Sequence, residues 1–208
     1  MERRPIAATI DGCKIHPAVR RTGIRFPHID AVFASLPAHD LRPRLEHVFR
    51  GKWEERNWRN VPGPFYGAMT DDCWVGRQTA PRHILYGDDT EYESEFLYRQ
   101  PRTVTELRDV LAGMRHDPWA GWACDGDAHW TPDLVRAWWH DRSRLREWIV
   151  RKQQEWGSEG LPSDEHVGAG LTDYLTYLDS GLADDLRCYI RFLETGHGPI
   201  VDDRLPAL

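Results

Sequence analysis

Strand and helix signals are segregated along this 208-residue chain rather than interleaved, and that segregation limits the fold more than any other feature of the sequence. Four short β-prone runs fall within residues 61–100: VPGPFYGA, CWVGR, RHILYG and SEFLYRQ, separated by the turn-forming TDD, QTAP and DDTE. Runs of this kind predict an antiparallel meander of three or four strands. Helix signals follow. Thr103-Val-Thr-Glu106 matches the capping box, in which the Thr hydroxyl accepts from the third helical N–H and the Glu reaches back to the Thr N–H. Leu107, Val110, Leu111 and Met114 supply its apolar stripe. Thr131-Pro132-Asp133 is a second start, with Thr as cap, Pro at the first position and Asp beside the positive dipole end. That helix is expected either to run to Gln154 or to break near Asp141. Beyond Pro162-Ser163, the stripe Leu171, Tyr174, Leu175, Leu178 stops at Ser180-Gly181. A second stripe, Leu182, Leu186, Tyr189, Ile190, Leu193, ends at Gly196. Two such stripes joined by a tight turn predict an α-hairpin.

Strands in one block and helices in another imply an α+β fold. The expected architecture is a short antiparallel β-meander, about residues 61–100, packed against several helices and closed by a C-terminal α-hairpin. The length suits a single domain over residues 1–208, since one core grows efficiently to roughly 250 residues. Residues 1–26 read as an extended arm or one or two strands. Residues 28–36 and 38–50 read as helices, the second carrying Leu41, Leu45, Val48 and Phe49. The tail PIVDDRLPAL reads as a loosely docked end.

The net charge of −6 argues against a nucleic-acid binder that works by neutralising phosphates. The charge is uneven: residues 1–60 sum to +5 and the remainder to −11. No stretch approaches the roughly 20 apolar residues of a membrane span. The opening MERRPIAATIDGC has too short an apolar run for a secretory signal. Cys13, Cys73, Cys124 and Cys188 are widely spaced, with no CxxC pair. Cytoplasm with reduced thiols is therefore expected. The ten Trp are unusual for this length. Trp beyond the needs of a core often lines pockets or partner surfaces.

Candidate chemistry lies in two loops. Asp125, Asp127 and His129 alternate within Cys124-Asp-Gly-Asp-Ala-His-Trp130, ahead of the Thr131 cap. In an extended segment they would share one side, where two carboxylates and an imidazole suit either a divalent metal or work as acid and base. The competing reading makes them turn-formers and caps. In the second loop, Asp71 and Asp72 offer carboxylates, and Arg77 offers a bidentate clamp for an anion. Tyr66, Trp74 and Trp130 are the aromatics that would wall a pocket between the loops. Neither metal nor cofactor is expected: HExxH, GxSxG, GxGxxG and zinc-finger spacings are absent, and no closing Glu completes a calcium loop.

Two functions fit. The first is a small acidic binding protein that takes a protein partner or small ligand through a Trp-rich, carboxylate-bearing face, in the manner of an immunity or antitoxin-type inhibitor. The second is a small acid–base enzyme using the Asp125, Asp127 and His129 cluster, of the sort found in bacterial secondary metabolism. The sequence leaves the ligand and the oligomeric state open.

Overall fold

A computed structural model describes residues 48–208 apart from 71–73, 89–92, 160–161, 197 and 200–203. Most of the expected N-terminal arm and helices, and the Asp71-Asp72 loop, lie outside the described residues. The end of the expected 38–50 helix is described, and it is not helical: Phe49 forms an antiparallel bridge with Gly121.

The architecture is α+β. Strands β1 (Tyr66–Gly67) and β4 (Trp122–Ala123) pair antiparallel, and so do β2 (Ile84–Asp88) and β3 (Glu93–Leu97). The helices are α1 (Val75–Thr79), α2 (Val104–Met114), α3 (Pro132–His140), α4 (Arg142–Glu159), α5 (Pro162–Ser180) and α6 (Leu182–Thr195). Single 3-10 turns form at Trp53–Glu55 and Gly126–Ala128. Of the β-prone runs, CWVGR departs from expectation. Its VGR forms the start of α1, which Trp74 enters in the left-handed region at φ 61°.

The β2–β3 hairpin is covered on both faces. Ile84 and Leu97 pack with Leu107, Val110 and Met114 of α2, while Leu85 and Phe96 pack with Trp148, Leu171, Tyr174 and Tyr189 of the later helices. Burial on both sides explains why RHILYG and SEFLYRQ read as nearly continuous apolar runs rather than alternating ones. The α2 start is a complete capping box. Helix α3 begins on the Thr131 hydroxyl, which accepts from the Leu134 N–H at 3.2 Å. Of the two endings left open for it, the break is the one found, with Asp141 closing α3.

The α5–α6 hairpin forms as expected. Leu171, Tyr174, Leu178, Leu182, Leu186 and Ile190 are buried, and Gly196 ends α6 in the left-handed region. Tyr98 and Arg99 fasten it to the sheet: both donate to Asp173 of α5, at 2.6 and 3.0 Å. Leu186→Ala should lower stability by about 2–5 kcal/mol through the cavity it leaves. Leu175, only half-buried, should cost clearly less. Equal losses in thermal melts of the two variants would contradict this packing.

Buried His83 reports on the same sheet. Burial holds its imidazole below the usual value of 6.5, although its Nδ1 bonds to the Arg99 carbonyl at 2.9 Å. A depressed histidine contributes stability that is present above its unfolded value and lost as pH falls below it. Melting temperature should therefore fall as pH drops below 6.5, and His83→Gln should flatten that fall. An identical slope in the variant would assign the acid sensitivity elsewhere.

Candidate functional site

The Asp125–His129 segment is a turn, not an extended strand. Gly126–Ala128 forms a 3-10 turn just after β4, and the N–H groups of His129 and Trp130 both donate to the Gly126 carbonyl. The expectation that Asp125, Asp127 and His129 share one side is corrected accordingly. The 3-10 turn brings positions i and i+4 together and turns position i+2 away. His129 Nε2–H donates to Asp125 Oδ2 at 3.1 Å, whereas Asp127 accepts from the buried Tyr189 hydroxyl at 2.7 Å.

The turn is shaped by the stiff segment 61–67. The Gly126 N–H donates to the Pro64 carbonyl at 3.0 Å. A Cβ on Gly126 would stand 2.1 Å from the Gly63 oxygen, so only glycine allows this approach. The segment is itself held by side chains. Gln100 Nε2–H donates to the Val61 and Phe65 carbonyls at 2.9 and 2.8 Å. Tyr66, placed by β1, donates its hydroxyl to Asp125 Oδ1 at 2.8 Å. Burial first, and the Asp125 bond second, push the Tyr66 phenol far above its ordinary range. It is thus a neutral donor that fixes one Asp125 oxygen while His129 takes the other.

Trp53 stacks on His129 with centroids 4.9 Å apart and rings 11° from parallel. It meets Tyr66 and Trp130 edge-on, at 5.5 and 5.0 Å. The Arg56 guanidinium lies 3.8 Å over the Trp53 ring. Beside this cluster is a small recess of about 90 Å³, partly open to solvent, between the 3-10 turn at 53–55 and the α3–α4 break. Arg56, Trp58, Trp130, Trp138, Asp141 and Arg142 are among its walls. Trp138 is pinned by its indole N–H, which donates to the Trp58 carbonyl at 3.1 Å.

The structure therefore unites Tyr66, Asp125, His129 and Trp130. Asp127 sits on the far side of the turn. Trp74 stacks on Tyr86 at 4.2 Å, away from this cluster. Arg77 is buried in α1, where its backbone N–H donates to Glu95 and a Cβ on Gly170 would touch its guanidinium. Burial lowers its pKa, and it does not reach the recess. Asp71 and Asp72 lie outside the described residues. Sequence reasoning missed Trp53, Arg56, Trp58, Trp138 and Arg142. A signal for them was present: an Arg lies within four residues of each Trp in 53–58 and 138–142.

Among the described residues, no group of three or more His, Cys, Asp or Glu is placed to hold a metal ion, and no helix is long and apolar enough to cross a membrane. Cys124, just ahead of the turn, is disulfide-bonded, while the thiol of Cys188 is buried and not in a disulfide. The expectation of reduced thiols throughout is corrected at Cys124. Wide spacing in sequence does not keep two sulfurs apart in a fold.

No family model matches the chain, and no curated protein or solved structure is similar to it.

Asp127 and His129 should separate on mutation. Asp127→Ala removes the carboxylate that accepts from the buried Tyr189 hydroxyl and should cost about 1–3 kcal/mol. His129→Gln, at a side chain 35% exposed, should stay within about 1 kcal/mol, the range of a lost ring stack. Urea titrations of both variants check the pair, and a larger loss for His129→Gln would make it the structural residue.

Proposed function

We propose that the chain is a binding protein whose working face is the Trp- and Arg-lined recess beside the Asp125–His129 turn. One observation carries this reading. Half-buried indoles of Trp53, Trp58, Trp138 and Trp139 gather on one face, with guanidinium groups of Arg56, Arg142 and Arg144 stacked over them. Trp and Arg are the residues that anchor binding surfaces, since each offers large contact area with a polar handle. The partner is a protein or a small ligand. An inhibitor of the immunity or antitoxin type belongs to this class, although the recess itself is more basic than the acidic face first expected.

A second reading, a small acid–base enzyme, is favoured by the Asp125–His129 pair. With Nε2–H committed to Asp125, a neutral His129 ring keeps its lone pair on Nδ1, the arrangement of an oriented general base. No nucleophilic side chain bonds to that ring among the described residues, so the chemistry open to it is proton abstraction or water activation.

Trp53→Leu and Trp138→Leu keep an apolar group against the core and remove the indoles. Tagged wild type and variants should be recovered from the source cells and their bound proteins and metabolites quantified by mass spectrometry. A partner or metabolite depleted at least tenfold on both folded variants supports the reading. Identical profiles contradict it. Loss of turnover in His129→Gln with binding retained would favour the enzyme.

We also propose the cytoplasm as its compartment, a reading that the Cys124 disulfide opposes. A disulfide at Cys124 would be reduced there. Alkylating thiols in intact cells tests this: a modified Cys124 supports the cytoplasm, and an unmodified one an oxidising compartment.

A further inference from the structure

We infer that the recess between the 53–55 turn and the α3–α4 break is a subsite for an oxyanion, a carboxylate or a phosphate, carried on a flat or apolar group. The inference rests on the binding reading above and specifies its ligand chemistry.

Two guanidiniums line the recess, and among the described residues no carboxylate is bonded to either. Arg56 donates to the Trp53 carbonyl at 3.1 Å, lies over the faces of Trp53 and Trp130, and feels the charge of Glu54 without bonding to it. Burial lowers its pKa, which marks a cation partly stripped of water. Arg142 donates to the Trp139 carbonyl at 2.9 Å and stacks 4.3 Å over that ring. Each uses one N–H group on a carbonyl, so the remaining donors of both forks are available. A guanidinium fork matches carboxylate and phosphate geometry, and a partly desolvated one binds an anion more strongly than an exposed one.

The apolar walls explain the rest of the ligand. Trp58, Trp130, Trp138 and Leu145 offer a surface suited to a planar or hydrocarbon group. Indole walls alone would also suit a cation, as in cages for quaternary ammonium groups. Two of the three indoles that line the recess already carry a cation: Arg144 lies 4.0 Å over Trp58 and Arg56 5.4 Å over Trp130. Against them the recess carries one carboxylate, Asp141, which lies 4.0 Å from Arg144. A further cation meets like charge, and an anion meets two open forks.

Isothermal titration of the full chain with benzoate, phenylphosphate, benzamide and tetramethylammonium tests the inference, with indole fluorescence followed in parallel. Saturable one-to-one binding of benzoate or phenylphosphate is expected, weakened at least tenfold in Arg142→Gln. The exposed position of Arg142 makes that variant safe for folding, and Arg56→Gln serves as the second if its melt is intact. Binding of benzoate alone identifies a carboxylate site, of phenylphosphate alone a phosphate site, and of both a general oxyanion site; all three support the inference. It is overturned if neither anion binds, if Arg142→Gln binds them as wild type does, or if benzamide or tetramethylammonium binds as tightly. Failure here with a partner still lost from Trp53→Leu and Trp138→Leu would leave the binding face standing and remove only its ligand chemistry.

Discussion

Asn60→Ala should lower the stability of the protein by about 3 kcal/mol or more, out of proportion to the few atoms removed, because it strands two buried N–H groups at about 1–3 kcal/mol each. The Asn60 side chain stands in for a strand. Its Oδ1 accepts from the Gly67 N–H at 2.9 Å and the Leu97 N–H at 2.8 Å. Its Nδ2 donates to the carbonyls of Asn57 and Gly67 at 2.6 and 2.7 Å. One fully buried amide thus joins β1 to β3, which share no ladder. Asn60→Asp is the sharper variant. It keeps an oxygen for the two N–H groups but turns the other toward two carbonyls, so it should be at least as damaging as Asn60→Ala at neutral pH. Denaturant melts of both variants check this. A loss under 1 kcal/mol in either would mean that β1 is held by something else.

Gly126→Ala should be the most damaging single methyl in the molecule's functional region. The added carbon would stand 2.1 Å from the Gly63 oxygen and 3.0 Å from the Pro64 oxygen, both backbone atoms of a segment stiffened by two prolines. Neither side has a flexible end to give way. The turn has to move outward, at about 1–3 kcal/mol for the overpacking. About 1 kcal/mol more goes with the Gly126–Pro64 hydrogen bond. The displacement also pulls Asp125 off the Tyr66 hydroxyl and His129 off Trp53, so the variant should lose the indole environment of His129 even where it stays folded. The ring-shifted imidazole proton resonances of His129 read this directly, and unchanged resonances together with an unchanged melt would contradict the close approach.

These two residues also mark where the sequence stopped being legible. Local chemistry was readable: the capping box at Thr103, the Thr131-Pro132 start and the two stripes of the α5–α6 hairpin each depend on neighbours within a turn or two. Helix α1 was not, because the aromatic and β-branched residues of CWVGR favour a strand while the left-handed Trp74 that opens the helix is fixed by its stack on Tyr86. The Asp125–His129 segment was readable as polar and reactive in type, but not as a turn. What bends it is Gly63 and Pro64, more than sixty residues away, and nothing in an Asp-Gly-Asp sequence shows that approach. The same holds for the recess. Arg56, Trp58, Trp130, Trp138 and Arg142 come from three separate stretches of chain, and the surplus of Trp, with an Arg close to each in 53–58 and 138–142, hinted that some would leave the core without showing that they meet.

The proposed binding face around the Asp125–His129 turn should lie within reach of the partner in the cell. Site-specific photo-crosslinking in the source cells tests it most directly, with a benzophenone side chain placed at Trp139 in one variant and at exposed Thr176 on α5 in another. A discrete covalent adduct is expected from position 139, lost when Trp53→Leu is added, and none from position 176. No adduct from position 139, or the same adducts from both positions, would contradict it.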